Sequence, residues 1–142
     1  REKPMYKKIM VPVDLAHVDK LARALDTAAK LAKLYNAPVT YVGVTSSAPG
    51  PLGHNPEEYA QKLSGFTATQ ANTHGIETDG KTVVSHDPAV DLDDALINTA
   101  NDTGCDLIVM ATHIPNVADH IWPSNGGRLA THTNASVFLV RG

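Results

Sequence analysis

The residues of this chain with the types and spacing to hold a ligand gather at the ends of two apolar runs. Val11-Pro12-Val13 ends in Asp14, and Leu107-Ile108-Val109-Met110-Ala111 ends in Thr112-His113. After a short span comes Pro123-Ser124-Asn125-Gly126-Gly127, a small-residue segment expected to open a helix. Helix starts expose unpaired backbone N–H groups and the positive end of the helix dipole, so they attract anions. His113 adds a cation there when protonated. The chemistry this pattern suggests is recognition of an anionic ligand. No nucleophile, base and orienting group can be assembled from the sequence into a catalytic set. Asp14 and Ser124 each also fit a plainer role, as caps of the turn or helix that follows.

Such residues need elements that bring them together. Lys7 to Asp14 reads as a short apolar strand whose Pro12 cannot donate to a ladder and therefore sits at the strand's end. Leu21, Ala24, Leu25, Ala28, Leu31, Ala32 and Tyr35 recur at helical steps, with Asp19 near the positive end, Lys30 and Lys33 near the negative end, and Asn36-Ala37-Pro38 as the stop. Val39 to Val44 is a second strand, and Thr45 to His54 a loop rich in Ser, Pro and Gly. Asn55-Pro56-Glu57-Glu58 is a helix start with cap, N1 proline and N3 glutamate; Tyr59, Leu63 and Phe66 form that helix's apolar face, and His74-Gly75 ends it. Lys81 to Ser85 is expected as a third, more polar strand at a sheet edge. Asp87-Pro88 is expected to cap a third helix running to about Asp102. The fourth strand starts after Gly104, a fourth helix spans about Ser124 to Thr133, and Ala135 to Arg141 is the fifth strand.

Strands alternating with helices at this spacing imply an α/β fold: a single doubly wound, five-stranded parallel sheet with helices on both faces and right-handed crossovers. Ligands bind such sheets beyond the carboxyl ends of the strands, where the winding reverses. With strand order 3-2-1-4-5 that point lies between strands one and four, where Asp14, Thr112, His113 and Ser124 converge.

Composition narrows the function. The length of 142 residues suits one domain spanning 1–142. A formal charge of -3 without a dense Lys/Arg block argues against nucleic acid as partner. The single cysteine, Cys105, forms no internal disulfide, is expected to pack beside the fourth strand, and fits a reducing compartment. No apolar run approaches the roughly 20 residues of a membrane span, so neither a leader nor membrane insertion is expected and the chain reads as cytoplasmic. The seven histidines show no paired ligand spacing, so no built-in metal site is expected. Trp122 is expected to pack helix four or an intersubunit surface.

Over nearly its whole length the chain resembles the universal stress protein family. Tyr6 to Asp14 is similar to that family's opening strand, Leu107 to Met110 followed by Ala111-Thr112-His113 to its fourth, and Ala135 to Arg141 to its last. The family's nucleotide-binding branch carries G-x2-G-x9-G-[ST] after strand four. Ala111, Ile114, Pro123 and Ser124 fall on those positions, with one residue fewer in the long gap. Ser124-Asn125 resembles the fimbria-associated subgroup. The stretch from Pro88 to Asp106 is about one helical turn longer than the family's.

The resemblance implies an adenine nucleotide alpha hydrolase-like fold and a regulatory role in stress response. It implies ATP or AMP as ligand, with Mg²⁺ as companion ion. Pro12, Val13 and Asp14 would line the adenosine pocket, the backbone of Val44 would meet adenine, and Met110 and Ala111 would flank the ribose. Ser124 and Asn125 would serve the phosphates, with Thr112 and His113 completing the set. It also implies a homodimer through the last strand, Ser136 to Arg141, and a protein partner whose identity the sequence does not reveal. The three motif glycines are replaced: Ala111 adds a methyl, Ile114 resists positive φ, and Pro123 has no N–H. One lost hydrogen bond to a charged group is worth roughly 1.5–3 kcal/mol, enough to weaken phosphate binding about 10- to 100-fold.

Two other classes are weighed against this one. The same fold and dimer could act through protein partners alone, without nucleotide. An enzyme or phosphoacceptor of the same architecture fits poorly. A receiver domain needs an acidic pair after strand one and a lysine ending strand five, where Leu15 follows Asp14 and Arg141 stands at the end. A flavodoxin's phosphate loop and the Ser-Gly-Gly-x-Asp-Ser or His-x-Gly-His signatures of adenylating enzymes are not in the sequence.

Overall fold

The apolar runs bounded by turn residues are strands, and all of them pair in parallel. A computed structural model describes residues 5–49, 53–112 and 126–141, except the side chains of 88–90 and 126. Within it β1 (Ile9–Pro12), β2 (Val39–Thr45), β3 (Thr78–Val84), β4 (Leu107–Thr112) and β5 (Ser136–Arg141) form one sheet in the order β3-β2-β1-β4-β5. Every pairing is parallel, as the alternation of strands and helices requires. The connecting helices are α1 (Ala22–Tyr35), α2 (Pro56–His74), α3 (Pro88–Thr103) and α4 (Gly126–His132). The expected class, strand order and two-sided helical cover are those observed.

Strand alternation divides the core into two apolar clusters. Ile9, Val11 and Val13 point with Val39, Tyr41, Leu107, Val109 and Ala111 into the first, which α1 and α2 cover. Met10, Val42, Ile108 and Met110 point the other way, towards α3 and α4, with Leu96, Ala100 and Leu129. Cys105 packs in this second cluster, and burial pushes its thiol above the usual range. Burying each large side chain contributes about 1.5–3 kcal/mol, so both faces anchor the central strands.

Helix ends follow local chemistry. α1 presents a stripe of small residues, Ala24, Ala28, Ala29 and Ala32, that lets it lie close to the sheet. It stops at Asn36, whose φ of 53° turns the backbone left-handed and whose N–H reaches the carbonyls of Ala32 and Lys33. α2 opens as expected: the Asn55 side chain accepts from the Glu58 N–H at 2.9 Å, and Pro56 occupies the first turn. It closes on Gly75, whose φ of 66° needs no Cβ, and Gly104 ends α3 in the same way with a φ of 70°.

Three details depart from expectation. Asp19 does not sit in the first turn of α1, because a 3-10 segment, Leu15–Leu21, precedes that helix and contains it. β3 starts at Thr78 rather than Lys81, because Thr78, Asp79 and Gly80 pair with Val39, Thr40 and Tyr41 despite lacking strand propensity. Tertiary pairing overrides local preference there. Asp87 stands at the N-cap of α3 but makes no side-chain cap bond. Ser85 takes the role instead: its hydroxyl donates to Asp91 Oδ2 at 3.0 Å and accepts from the Asp87 N–H at 3.3 Å.

Candidate functional site

Pro12 governs the site through the N–H it lacks. The N–H groups of Ile9 and Val13 point towards β2 and its approach, donating to Pro38 O at 3.0 Å and Val42 O at 2.8 Å. Alternation aims the nitrogens of Met10 and Pro12 the other way, towards β4. Proline offers no donor on that side. The ladder with β4 accordingly stops at Met10–Ile108, whereas pairing with β2 continues to Pro12–Val42. β4 itself runs on to Thr112, held by β5 up to the Thr112–Arg141 pair. The ladder between the two central strands therefore stops short of their carboxyl ends, leaving an opening in the pairing at the point where the winding reverses, the place where such sheets bind ligands.

Thr112 lies at this opening. Its residue is 1% exposed, and its hydroxyl has no hydrogen-bond partner among the described residues. A buried hydroxyl without a partner carries a desolvation cost of about 1–3 kcal/mol, which a ligand's polar group would relieve. Alternation puts Thr112 on the face of Met110, and Pro12 and Val44 lie on that face with Met10 and Val42. These four expected residues share one face of the sheet beside the opening.

The other described candidates do not join them with their side chains. Val13 and Ala111 point into the cluster under α1, so what they can present at the opening is backbone. Asp14 follows Val13 directly and its carboxylate is engaged locally. Oδ1 accepts from the Ala16 N–H at 3.0 Å and Oδ2 lies 2.9 Å from His17 Nδ1. Asp14 is thus the N-cap of the 3-10 segment, the plainer of the two roles the sequence allowed it. With its side chain 27% exposed, it still faces solvent at the mouth of the strands. His113, Ser124 and Asn125, with Ile114, His120, Trp122 and Pro123, lie outside the described residues.

A close contact near these strand ends involves a residue that the sequence placed only on an apolar helix face. Tyr59 of α2 is 4% exposed, and it sits against Gly43 of β2. A Cβ at Gly43 would stand 2.3 Å from the Tyr59 hydroxyl, so only glycine admits the ring. Burial, then the Asp14 charge, push the Tyr59 phenol up to about 12. The signal that could have found this contact is a glycine inside a strand pattern, which marks close approach of another group.

Among the described residues, no group of three or more His, Cys, Asp or Glu side chains is arranged to hold a metal ion. No described helix is long and apolar enough to cross a membrane. The carboxyl end of the central strands carries an unpartnered hydroxyl and a carboxylate, groups suited to binding a polar molecule.

The sequence profile of the Universal stress protein family matches residues 5–141. Among solved structures, a protein of that family from Burkholderia pseudomallei is 23% identical, with a TM-score of 0.68 and coverage of 98% of each chain. The universal stress protein from Archaeoglobus fulgidus, solved in complex with dAMP, is 21% identical, with a TM-score of 0.61 over 95% of this chain and 98% of that one. A family protein from Arabidopsis thaliana with AMP bound is 14% identical, with a TM-score of 0.61 over 95% and 90% of the two chains. At these identities the likeness is one of fold.

Proposed function

The chain belongs to the universal stress protein family, and from that premise we propose that it is a regulatory protein holding ATP or AMP where β1 and β4 part. The observation that carries this reading is the buried, unpartnered Thr112 hydroxyl at the opening that Pro12 creates. The dAMP and AMP complexes of two proteins of the same fold give the ligand class. In this reading Pro12, Val44, Met110 and Thr112 form one wall, and the backbones of Val13 and Ala111 contact adenosine. Asp14 receives the sugar end while still capping its turn. His113, Ser124 and Asn125 serve the phosphates, with Mg²⁺ as companion ion. The protein acts by binding, and slow ATP hydrolysis would leave this role unchanged.

The rest of the proposal concerns assembly and place. One domain spans the whole chain and works in the cytoplasm in response to stress. β5 has a neighbour on one side only, and Phe138 and Leu139 on it are 44% and 38% exposed. Exposed edge groups and apolar side chains favour a homodimer joined along Ser136–Arg141, which then engages a further protein.

A second reading, the same dimer without nucleotide, draws support from Asp14, both of whose carboxylate oxygens are already engaged within the chain. Thermal unfolding separates the two. AMP or ATP with Mg²⁺ at about 100 times Kd should stabilise the fold by about 2.7 kcal/mol, and Asp14→Ala should abolish the shift. A melting temperature indifferent to either nucleotide, with no nucleotide released on denaturing the purified protein, would leave the second reading standing.

A further inference from the structure

Tyr59 is placed by a turn that the sequence builds with care. Asn55 caps the helix start, Pro56 fills its first turn, and Glu58 turns its carboxylate back to the His54 N–H. Gly53 approaches so closely that a Cβ there would lie 3.2 Å from the Tyr59 nitrogen. The residue therefore leaves a clamped first turn, which limits the directions its ring can take. The ring comes down on Gly43, where a Cβ would stand 2.3 Å from the hydroxyl oxygen, 2.7 Å from Cε1 and 2.9 Å from Cζ.

Gly43 lies between the two residues of β2 that border the opening. On one side Val42 accepts the Val13 N–H at 2.8 Å and so fixes the chain that leads into Asp14. On the other is Val44, whose backbone the adenylate reading places at the base. The Tyr59 phenol also feels the Asp14 charge, which adds to the rise caused by burial. A residue needed only for packing could dispense with its hydroxyl; the hydroxyl here is the atom nearest the Gly43 position.

We propose that Tyr59 is a positioning residue for adenylate binding: seated on Gly43, it holds the end of β2, and through the Val42–Val13 bond the chain that leads into Asp14, in the geometry that receives the base and sugar. This inference rests on the adenylate reading above. It assigns to α2, an element outside the strand-end motif, a direct share in affinity.

Tyr59→Phe keeps the ring and removes the hydroxyl, so it separates positioning from packing. Calorimetric titration with AMP, and with ATP and Mg²⁺, should show Kd raised about 3- to 10-fold in Tyr59→Phe while its melting temperature without nucleotide stays within a few degrees. In an Asp14→Asn background, Tyr59→Phe should add no further loss, because the two groups act together. Wild-type binding with an unchanged Kd in Tyr59→Phe, or additive losses in the double variant, would each overturn the proposal and leave adenylate binding intact. If the unaltered chain binds neither AMP nor ATP, the adenylate reading fails and this inference falls with it.

Discussion

At the scale of single residues, the pairing of Gly43 with Tyr59 makes a sharp demand. Gly43→Ala would place a methyl inside the space of the phenol, so the ring or β2 must shift. Overpacking of this kind typically costs about 1–3 kcal/mol, and urea unfolding of Gly43→Ala should show a loss of that size. Tyr41 poses the opposite case. It is fully buried, packs edge-on to Phe66 with ring centroids 5.3 Å apart, and its hydroxyl has no partner among the described residues. Tyr41→Phe removes an unsatisfied polar atom and should leave stability unchanged or raise it by up to about 1 kcal/mol. Both phenols also link stability to pH. Burial raises each from 10.0 to about 12, so between these values the native state keeps protons that the unfolded chain has released. The contribution is complete below about pH 10 and declines as pH rises towards about 12. Urea unfolding across that window should show falling stability, and Tyr41→Phe should make the fall roughly half as steep.

At the scale of elements, α2 shows how a short local signal sets a distant contact. Asn55 is exposed, yet its cap bond to Glu58 defines where the helix begins and hence where Tyr59 points. Asn55→Ala should destabilise the protein by about 1 kcal/mol in urea titration, with a shallower effect for Asn55→Asp, which retains an acceptor. The same helix meets β3 closely: a Cβ at Gly80 would lie 3.1 Å from both Leu63 Cγ and Thr67 Cγ2. This explains why β3 begins three residues before the stretch with strand propensity. Gly80 has little intrinsic tendency to be extended, but its missing side chain lets α2 settle on the strand, while β2 supplies the hydrogen-bond register. α3 offers a parallel lesson, since the Ser85–Asp91 bond that organises its start joins residues six apart, one of them before the helix.

At the scale of the whole molecule, the sheet has two edges of different character. β3 packs against α2 and exposes the charged Asp79 and Lys81 along with Val84, whereas β5 carries Phe138 and Leu139 in alternation, so apolar surface lies exposed on both of its faces. A homodimer along this edge would cover both. Sedimentation velocity should return twice the mass of the 142-residue chain. Leu139→Glu should return a single chain with unchanged far-ultraviolet dichroism. A monomeric mass for the unaltered protein at micromolar concentration would exclude that assembly.

The sequence by itself determined the architecture and which strand ends the proposed site would use. Short apolar runs bounded by turn residues read as buried strands, amphipathic stripes between them as covering helices, and proline at position 12 withholds a donor whatever its surroundings. These are properties of the local chain, and the positions of Pro12, Val44, Met110 and Thr112 at strand ends follow from them. Only the tertiary structure decided which candidates turn towards one another. A one-residue step along a strand reverses a side chain's face, so Val13 and Ala111 look into the core under α1 while their neighbours look to the other face of the sheet. Asp14 could cap or bind by its sequence, and the turn shows that it caps, whatever else it receives. The seating of Tyr59 on Gly43 depends on two segments sixteen positions apart meeting across a helix–sheet packing layer, a relation of shape in space that no pattern along the chain encodes.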